Sequence, residues 1–121
     1  MRIVLFMETV NYLLYGSHPK TGKIKERTIQ IIKALKANGG KIEATKLEEI
    51  LGISRNDKPS MFYRPLAVLK KWNLVVAHKS VVVDEQGKKH FKTEYEFTPQ
   101  LFDQYLEKTF RETVKKELET V

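Results

Sequence analysis

Between residues 45 and 97 the spacing of the apolar side chains changes from the period of a helix to the period of a strand. In two stretches, 47 to 51 and 62 to 69, apolar residues recur at intervals of three and four, which places them on one face of an α-helix. From residue 91 to 97 they recur at every second position, as in a strand with one buried face. The segment therefore predicts two short helices followed by a β-hairpin, and this order restricts the folds that the chain can adopt.

Local signals mark both ends of the first helix. Thr45 and Glu48 have the Ser/Thr-x-x-Glu spacing of a capping box, in which each side chain satisfies the backbone N–H of the other residue. We therefore predict a helix of about two turns that begins near residue 45. Gly52 follows where a residue in the left-handed conformation would end the helix, with Ile53 packing beneath it.

The second helix is predicted for residues 59 to 71, with a proline in its first turn. Pro65 lies inside this range, where it cannot donate a hydrogen bond to the carbonyl of Met61 and its ring crowds that turn. We therefore expect a helix that is kinked, or one that is regular only from Pro65 onward. Trp72 follows directly and is expected in the core, because an indole buries a large area there.

The hairpin is predicted to extend from residue 74 to 97. Its outgoing strand runs from 74 to 83, its turn covers 84 to 89, and its return strand carries aromatic residues on one face. Basic residues take the opposite face or the turn itself. They are expected to cluster at the tip of the hairpin, and they are Lys88, Lys89, His90 and Lys92.

Helices are also predicted on both sides of this region. Apolar residues at helical spacing from 3 to 14 predict an N-terminal helix, and those from 24 to 35 predict a helix that residues 38 to 40 (Asn-Gly-Gly) end. A last helix is predicted to begin at Thr98, whose side chain would cap it, with Pro99 in its first turn.

Several of these segments resemble a known family. Leu-Gly-Ile-Ser at residues 51 to 54, Phe-x-x-x-Leu-x-x-Leu at 62 to 69 and Asn-Leu-Val at 73 to 75 resemble the helix-turn-helix half of winged-helix regulators, with the PadR-like and MarR-like proteins the most similar. Tyr-Glu-Phe-Thr-Pro at residues 95 to 99 is similar to the segment that closes the wing in PadR-like proteins and begins their last helix. The resemblance covers roughly residues 24 to 100.

The resemblance implies an α+β fold, mainly helical: a winged helix-turn-helix with a three-helix core, a two-stranded wing and additional N- and C-terminal helices. It also implies a short first strand at residues 41 to 43 that pairs with the base of the wing. We expect a single domain, with an N-terminal helix over 1–15, the winged-helix core over 24–98 and the C-terminal helix over 98–121. The turn from residue 52 to 59 is longer than the usual helix-turn-helix connection.

Composition excludes several classes of protein. The 121 residues fit one domain, and no apolar run is long enough to cross a membrane. The absence of cysteine excludes disulfides and thiolate metal sites, and the first residues lack the layout of a secretory signal, so we expect a cytoplasmic protein. No catalytic or phosphate-loop motif occurs, and His78 is predicted to lie opposite about residue 95, too far from His90 to share a metal ion. We therefore expect no enzyme, no metal and no cofactor.

Positive charge is concentrated on the second helix, the turn before it and the wing. The chain carries a formal net charge of +7, and residues 55 to 92 contain nine basic and three acidic residues. A basic surface on these elements favours DNA as the partner.

Arg64 lies on the polar side of the second helix and is expected to contact a base edge, because its guanidinium matches the two acceptors of guanine. Ser60 and Tyr63 offer single hydroxyl groups, with a helix cap as the alternative role of Ser60. Asn56 would pair with adenine if the long turn enters the groove.

The other cations are expected to contact phosphates, and for any single lysine the alternative is a solvated side chain without a partner. The expected contacts are Lys46, Arg55, Lys58, Lys70 and Lys71 from the helices and the turn, and Lys79, Lys88, Lys89, His90 and Lys92 from the wing.

The two terminal helices exceed what a small three-helix core needs, and soluble monomers rarely expose large apolar patches. We therefore expect a homodimer, and the alternative is that both helices pack on the core of their own chain. A two-fold dimer would favour an inverted-repeat operator. The expected interface residues are Phe6, Val10, Leu13, Phe102, Leu106, Phe110, Val114 and Leu118.

Together these features predict sequence-specific binding of double-stranded DNA by a dimeric transcription regulator. Two alternatives fit the same pattern. One is a winged-helix module that binds protein within a larger assembly, and the other is an architectural protein that binds DNA without sequence preference.

Overall fold

The computed structural model of the chain describes residues 10–16 and 22–121. Within these ranges the fold is α+β and mostly helical, with five helices and one three-stranded antiparallel sheet, which is compatible with a winged-helix-like class. Residues 1–9 of the predicted N-terminal helix lie outside the described residues. The helices are α1 (described for residues 10–15), α2 (Gly22–Ala37), α3 (Ala44–Leu51), α4 (Pro59–Lys71) and α5 (Pro99–Thr120), and the strands are β1 (Lys41–Glu43), β2 (Val75–Val83) and β3 (Lys89–Phe97).

α2 ends at the predicted Asn-Gly-Gly segment. Gly39 and Gly40 have φ values of 74° and 90°, in the left-handed region that favours glycine. The N–H of Gly40 donates to the carbonyl of Leu35 at 2.7 Å, which satisfies one of the free carbonyls of the last helical turn. The chain then passes directly into β1.

The start of α3 differs from the prediction, whereas its end does not. Glu43 occupies the N-cap position without a side-chain hydrogen bond, so the predicted capping box is wrong. The carboxylate of Glu48 instead accepts a hydrogen bond from the backbone N–H of Arg55 at 3.2 Å and pairs with its guanidinium, and a charged partner binds a carboxylate more strongly than one neutral N–H does. Gly52 ends the helix in the left-handed conformation, as predicted, with its N–H donated to the carbonyl of Glu48.

α4 covers the predicted residues and passes through Pro65, so the expected late start at this proline is wrong. A proline inside a helix costs roughly 3 kcal/mol. Burial of one Phe or Leu side chain contributes about 1.5–3 kcal/mol. Phe62, Leu66 and Leu69 have no exposed surface, so their combined burial exceeds the cost of the proline.

The sheet has the strand order β1-β3-β2, with β3 in the centre. Ile42 pairs with Tyr95, which confirms the expected pairing of residues 41 to 43 with the base of the hairpin. His78 pairs with Glu94, one residue from the predicted position of about 95, and His90 pairs with Val82. The difference of one residue arises because β3 begins at residue 89. The turn between β2 and β3 therefore covers residues 84–88 and is one residue shorter than the predicted turn at 84–89.

One hydrophobic core lies between α2, α3, α4 and the base of the sheet. α1 contributes Val10 to it, and Leu14 and Phe102 pack against its edge. The core residues of the described chain are Val10, Ile31, Ile32, Ala34, Leu35, Ile42, Ala44, Leu47, Phe62, Leu66, Leu69, Leu74, Val75 and Tyr95.

Two side chains near the junction of α4 and α5 differ from the prediction. Trp72 is half-buried and lies outside the core, because it follows the last residue of α4 as its C-cap. Its indole contacts the Tyr105 ring of α5 edge to face, with the ring centroids 5.8 Å apart. Thr98 is at the N-cap of α5, but its hydroxyl donates to the carbonyl of Asn73 at 2.8 Å instead of capping the helix. Both contacts fasten the start of α5 to the end of α4.

Leu66→Ala should lower the free energy of unfolding by about 2–5 kcal/mol, because it leaves a cavity in the core. Phe91→Ala should change it by less than about 0.5 kcal/mol, because this ring is 83% exposed. Chemical denaturation of both variants at one protein concentration measures the two effects. Equal destabilisation would contradict the assignment of Phe91 to the surface.

Candidate nucleic-acid interface

α4 presents a polar face on the side opposite its core residues. At about 100° per residue, Ser60, Arg64 and Lys71 lie opposite the buried face, and all three are exposed. Tyr63 and Lys70 lie on one flank and are also exposed. The helix contains no acidic residue, so it supplies no counter-charge to its own cations.

Arg55 has a different environment from Arg64. Its guanidinium pairs with Glu48 and lies 5.9 Å from the centre of the Phe62 ring. Arg55 was predicted to contact a phosphate, but its positive charge is already compensated by the carboxylate of Glu48. Three other expected contacts of this region are exposed, namely Lys46, Asn56 and Lys58.

One face of the sheet carries charged side chains of both signs, and some of them pair across neighbouring strands. The ammonium of Lys92 lies 2.7 Å from the carboxylate of Glu43 on β1, and this hydrogen bond, followed by the charges of Glu43 and Glu94, raises the pKa of Lys92. His78 contacts Glu96 at 2.9 Å. The predicted cluster of four basic residues at the tip is therefore wrong for Lys92, which pairs with the neighbouring strand.

Asp84 organises the turn of the hairpin. Its carboxylate accepts hydrogen bonds from the backbone N–H groups of Gln86 (2.9 Å) and Lys88 (2.8 Å) and contacts the His90 ring at 2.8 Å. The hydrogen bond to His90, followed by that to Lys88, holds the pKa of Asp84 below its ordinary value. Lys88 and Lys89 remain exposed at the turn, and Lys79 is exposed on β2.

The other face of the hairpin tip is exposed and carries three apolar side chains, with Lys89 on the same face. Phe91 pairs directly with Val81, and Val83 lies on the same face one pair further out. These three side chains are 53–83% exposed. The sequence pattern does not separate Phe91 from Tyr95 and Phe97, because all three alternate in the same way and only the base of the strand reaches the core.

A notch lies between the N-terminal half of α2 and α4. Lys23 and Arg27 form one wall, Ser60 and Arg64 form the other, and the volume is about 230 Å³. Ile24, Met61 and Pro65 complete the lining, and none of the described residues that line the notch is a carboxylate. Lys23 and Arg27 are not among the predicted DNA contacts, because their spacing on α2 does not reveal that this part of the helix faces α4.

α5 begins on the body of the protein and extends beyond it. Phe102 and Leu106 are half-buried, whereas Phe110, Val114 and Leu118 are 51–74% exposed. Within residues 10–16 and 22–121 none of these three side chains is buried. The other expected interface residues lie elsewhere: Val10 is in the core of its own chain, Leu13 is half-buried on α1, and Phe6 is outside the described residues.

The described part of the chain has neither a cluster of metal-binding side chains nor a helix that could span a membrane. No three His, Cys, Asp or Glu side chains there come together in a group that could hold a metal ion. No helix among the described residues has the length and apolar character required to cross a bilayer.

No protein-family model matches the chain, and no curated protein matches its sequence significantly.

The Asp84 carboxylate should titrate below pH 3.8, the ordinary value, because its charged form accepts three hydrogen bonds. A lowered pKa means that the carboxylate stabilises the turn above its ordinary pKa and that this stabilisation is lost as the pH falls through the lowered value. NMR titration of the carboxyl carbon measures the midpoint. His90→Ala should raise it and His78→Ala should not. An unchanged midpoint in His90→Ala would contradict the assignment.

Proposed function

We propose that the chain is a winged-helix protein that binds double-stranded DNA sequence-specifically and regulates transcription as a homodimer. The observation that carries this proposal is the outward face of α4, on which Arg64 and Lys71 are exposed on a helix without acidic residues. An exposed basic helix beside a projecting hairpin is suited to a groove flanked by phosphates.

In this proposal α4 is the recognition helix. The major groove of B-DNA is about 12 Å wide and admits one α-helix. Arg64, in the middle of the outward face, would reach the two acceptors of guanine. Ser60 and Tyr63 would add single hydrogen bonds, and Lys70 and Lys71 would contact phosphates near the C-terminal end of α4.

The β2–β3 hairpin would be the wing. Lys88 and Lys89 are exposed at its turn, where a strand of the DNA backbone beside the recognition helix would pass. Lys92 and Arg55 are assigned no phosphate, because each is already paired with a glutamate and a new contact would have to replace that pair.

α5 would form the homodimer. The exposed half of this helix carries an apolar stripe formed by Phe110, Val114 and Leu118. At about 100° per residue, the three side chains lie within about one quarter of the helix circumference. An apolar stripe of this kind is stabilised when a second copy covers it. A two-fold dimer would then place two recognition helices about one turn of DNA apart.

A second candidate function rests on the exposed apolar face of the hairpin tip. Val81, Val83 and Phe91 would suit a winged-helix module that binds protein, since exposed apolar patches mark interaction sites. In that case, Phe91→Ala should abolish partner binding, and added salt should affect partner binding little.

Arg64→Ala should cost about 1–3 kcal/mol of binding free energy on the duplex sequence that the protein prefers, and should relax the preference at one base position. Lys71→Ala should weaken binding to all sequences alike and reduce the slope of log K against log salt concentration by about 0.9, because one phosphate contact is lost. Fluorescence anisotropy over a salt series measures both. An Arg64→Ala variant that retains full base preference would contradict the assigned role.

Phe110→Ser and Leu118→Ser should shift the protein from dimer to monomer in analytical ultracentrifugation, because each removes apolar area from the stripe on α5. Glu112→Ser, on the opposite side of the same helix, is the matched control and should leave the mass unchanged. Circular dichroism should be the same for all variants. A wild-type protein that is monomeric at every concentration would overturn the dimer.

A further inference from the structure

We infer that the notch between α2 and α4 binds one phosphate group of the DNA backbone and thereby sets the position of the recognition helix. The inference rests on the proposed function and adds to it a site on α2, an element that the predicted DNA contacts do not include.

The notch is lined by two buried residues, one from each helix. Ile24 of α2 and Pro65 of α4 are both buried, and the two helices also pack together through the core. The volume of the notch, about 230 Å³, is many times the roughly 30 Å³ that one water molecule occupies, so a phosphate group fits with water around it.

The charge of the lining selects an anion. Lys23, Arg27 and Arg64 bring three cations to one concave surface, and Ser60 adds a hydroxyl. The nearest carboxylate on the same stretch of α2, Glu26, lines the neighbouring groove with Arg27. No described residue of the lining supplies a counter-charge to these cations, which repel each other. A bound phosphate would remove this repulsion and accept charge-assisted hydrogen bonds.

The location of the notch points to DNA rather than to a free phosphate compound. Ser60 and Arg64 belong both to the notch and to the outward face of α4. A phosphate in the notch would therefore lie at the edge of the groove that α4 enters, as the backbone of DNA does. A backbone contact fixes register, and Arg64 then reads a base at a defined distance from it.

Lys23 and Arg27 are positioning residues in this account, whereas Arg64 contacts the base. Loss of either one should weaken binding without a change in the preferred sequence, because a phosphate carries no sequence information. This combination separates the notch from a site that reads bases.

The test uses Lys23→Ala and Arg27→Ala, with Lys33→Ala as the matched control, since Lys33 is exposed on the same helix outside the notch. Binding is measured to the preferred duplex and to a series in which single phosphates are replaced by neutral methylphosphonates. A methylphosphonate at one position should weaken DNA binding by the wild type and by Lys33→Ala. The same replacement should leave DNA binding by Arg27→Ala unchanged. The salt slope of Arg27→Ala should also be lower by about 0.9.

Two outcomes would overturn the inference while DNA binding stands. Arg27→Ala and Lys33→Ala could lose affinity equally, or every methylphosphonate could weaken Arg27→Ala as it weakens wild type. Thermal unfolding of each variant shows whether a loss of affinity comes from misfolding. If wild type binds no duplex at all, the proposed function fails, and the inference fails with it.

A second measurement tests the notch on the protein alone. Inorganic phosphate is titrated into labelled protein, and the NMR signals of the Arg27 side chain and the Ser60 amide are followed. Saturable shifts that disappear in Arg27→Ala are expected, and their absence would overturn the site. Shifts in a protein that binds no DNA would assign the notch to a free phosphate compound and overturn the DNA assignment.

Discussion

Burial of Phe62, Leu66 and Leu69 is the constraint on which the rest of the structure depends. These three side chains have no exposed surface, and they fix the rotation of α4 about its own axis. Their burial, at about 1.5–3 kcal/mol each, exceeds the roughly 3 kcal/mol that a proline inside a helix costs. The rotation that hides them turns Arg64 and Lys71 to solvent. The same core holds α2 against α4 and the hairpin against both, so the candidate interface is a consequence of core packing.

The basic residues of the chain divide into two groups according to their neighbours. Arg55 and Lys92 pair with Glu48 and Glu43, and these ion pairs connect the turn to α3 and the hairpin to β1. Arg64 lines the notch with Lys23 and Arg27, and the described part of the chain contributes no carboxylate to that lining. Cations of the first group would have to exchange one partner for another in order to bind a phosphate, whereas those of the second would gain a partner. The second group therefore carries the proposed function.

Local sequence patterns predicted the helices and strands. They could not predict contacts between segments that are distant in sequence. The spacing of apolar residues located α3, α4 and the hairpin to within a residue or two, because periodicity is a property of the segment itself. The capping-box prediction was wrong because the carboxylate of Glu48 has a stronger partner in Arg55. Trp72 was predicted in the core, but it lies at the C-cap of α4, where its indole contacts Tyr105 of α5. The notch could not be predicted, because its two walls are more than thirty residues apart in sequence.

The most direct test of the central claim is selection from a pool of random duplexes at near-physiological salt, with the solution mass of the protein measured alongside. An operator-binding regulator should enrich an inverted-repeat motif and have the mass of a dimer. Equal retention of all duplexes would indicate an architectural DNA binder. It would contradict the proposal that Arg64 recognises a specific base. If no duplex is retained, the protein does not bind DNA. The second candidate function, protein binding through the exposed apolar residues of the hairpin tip, would then be favoured.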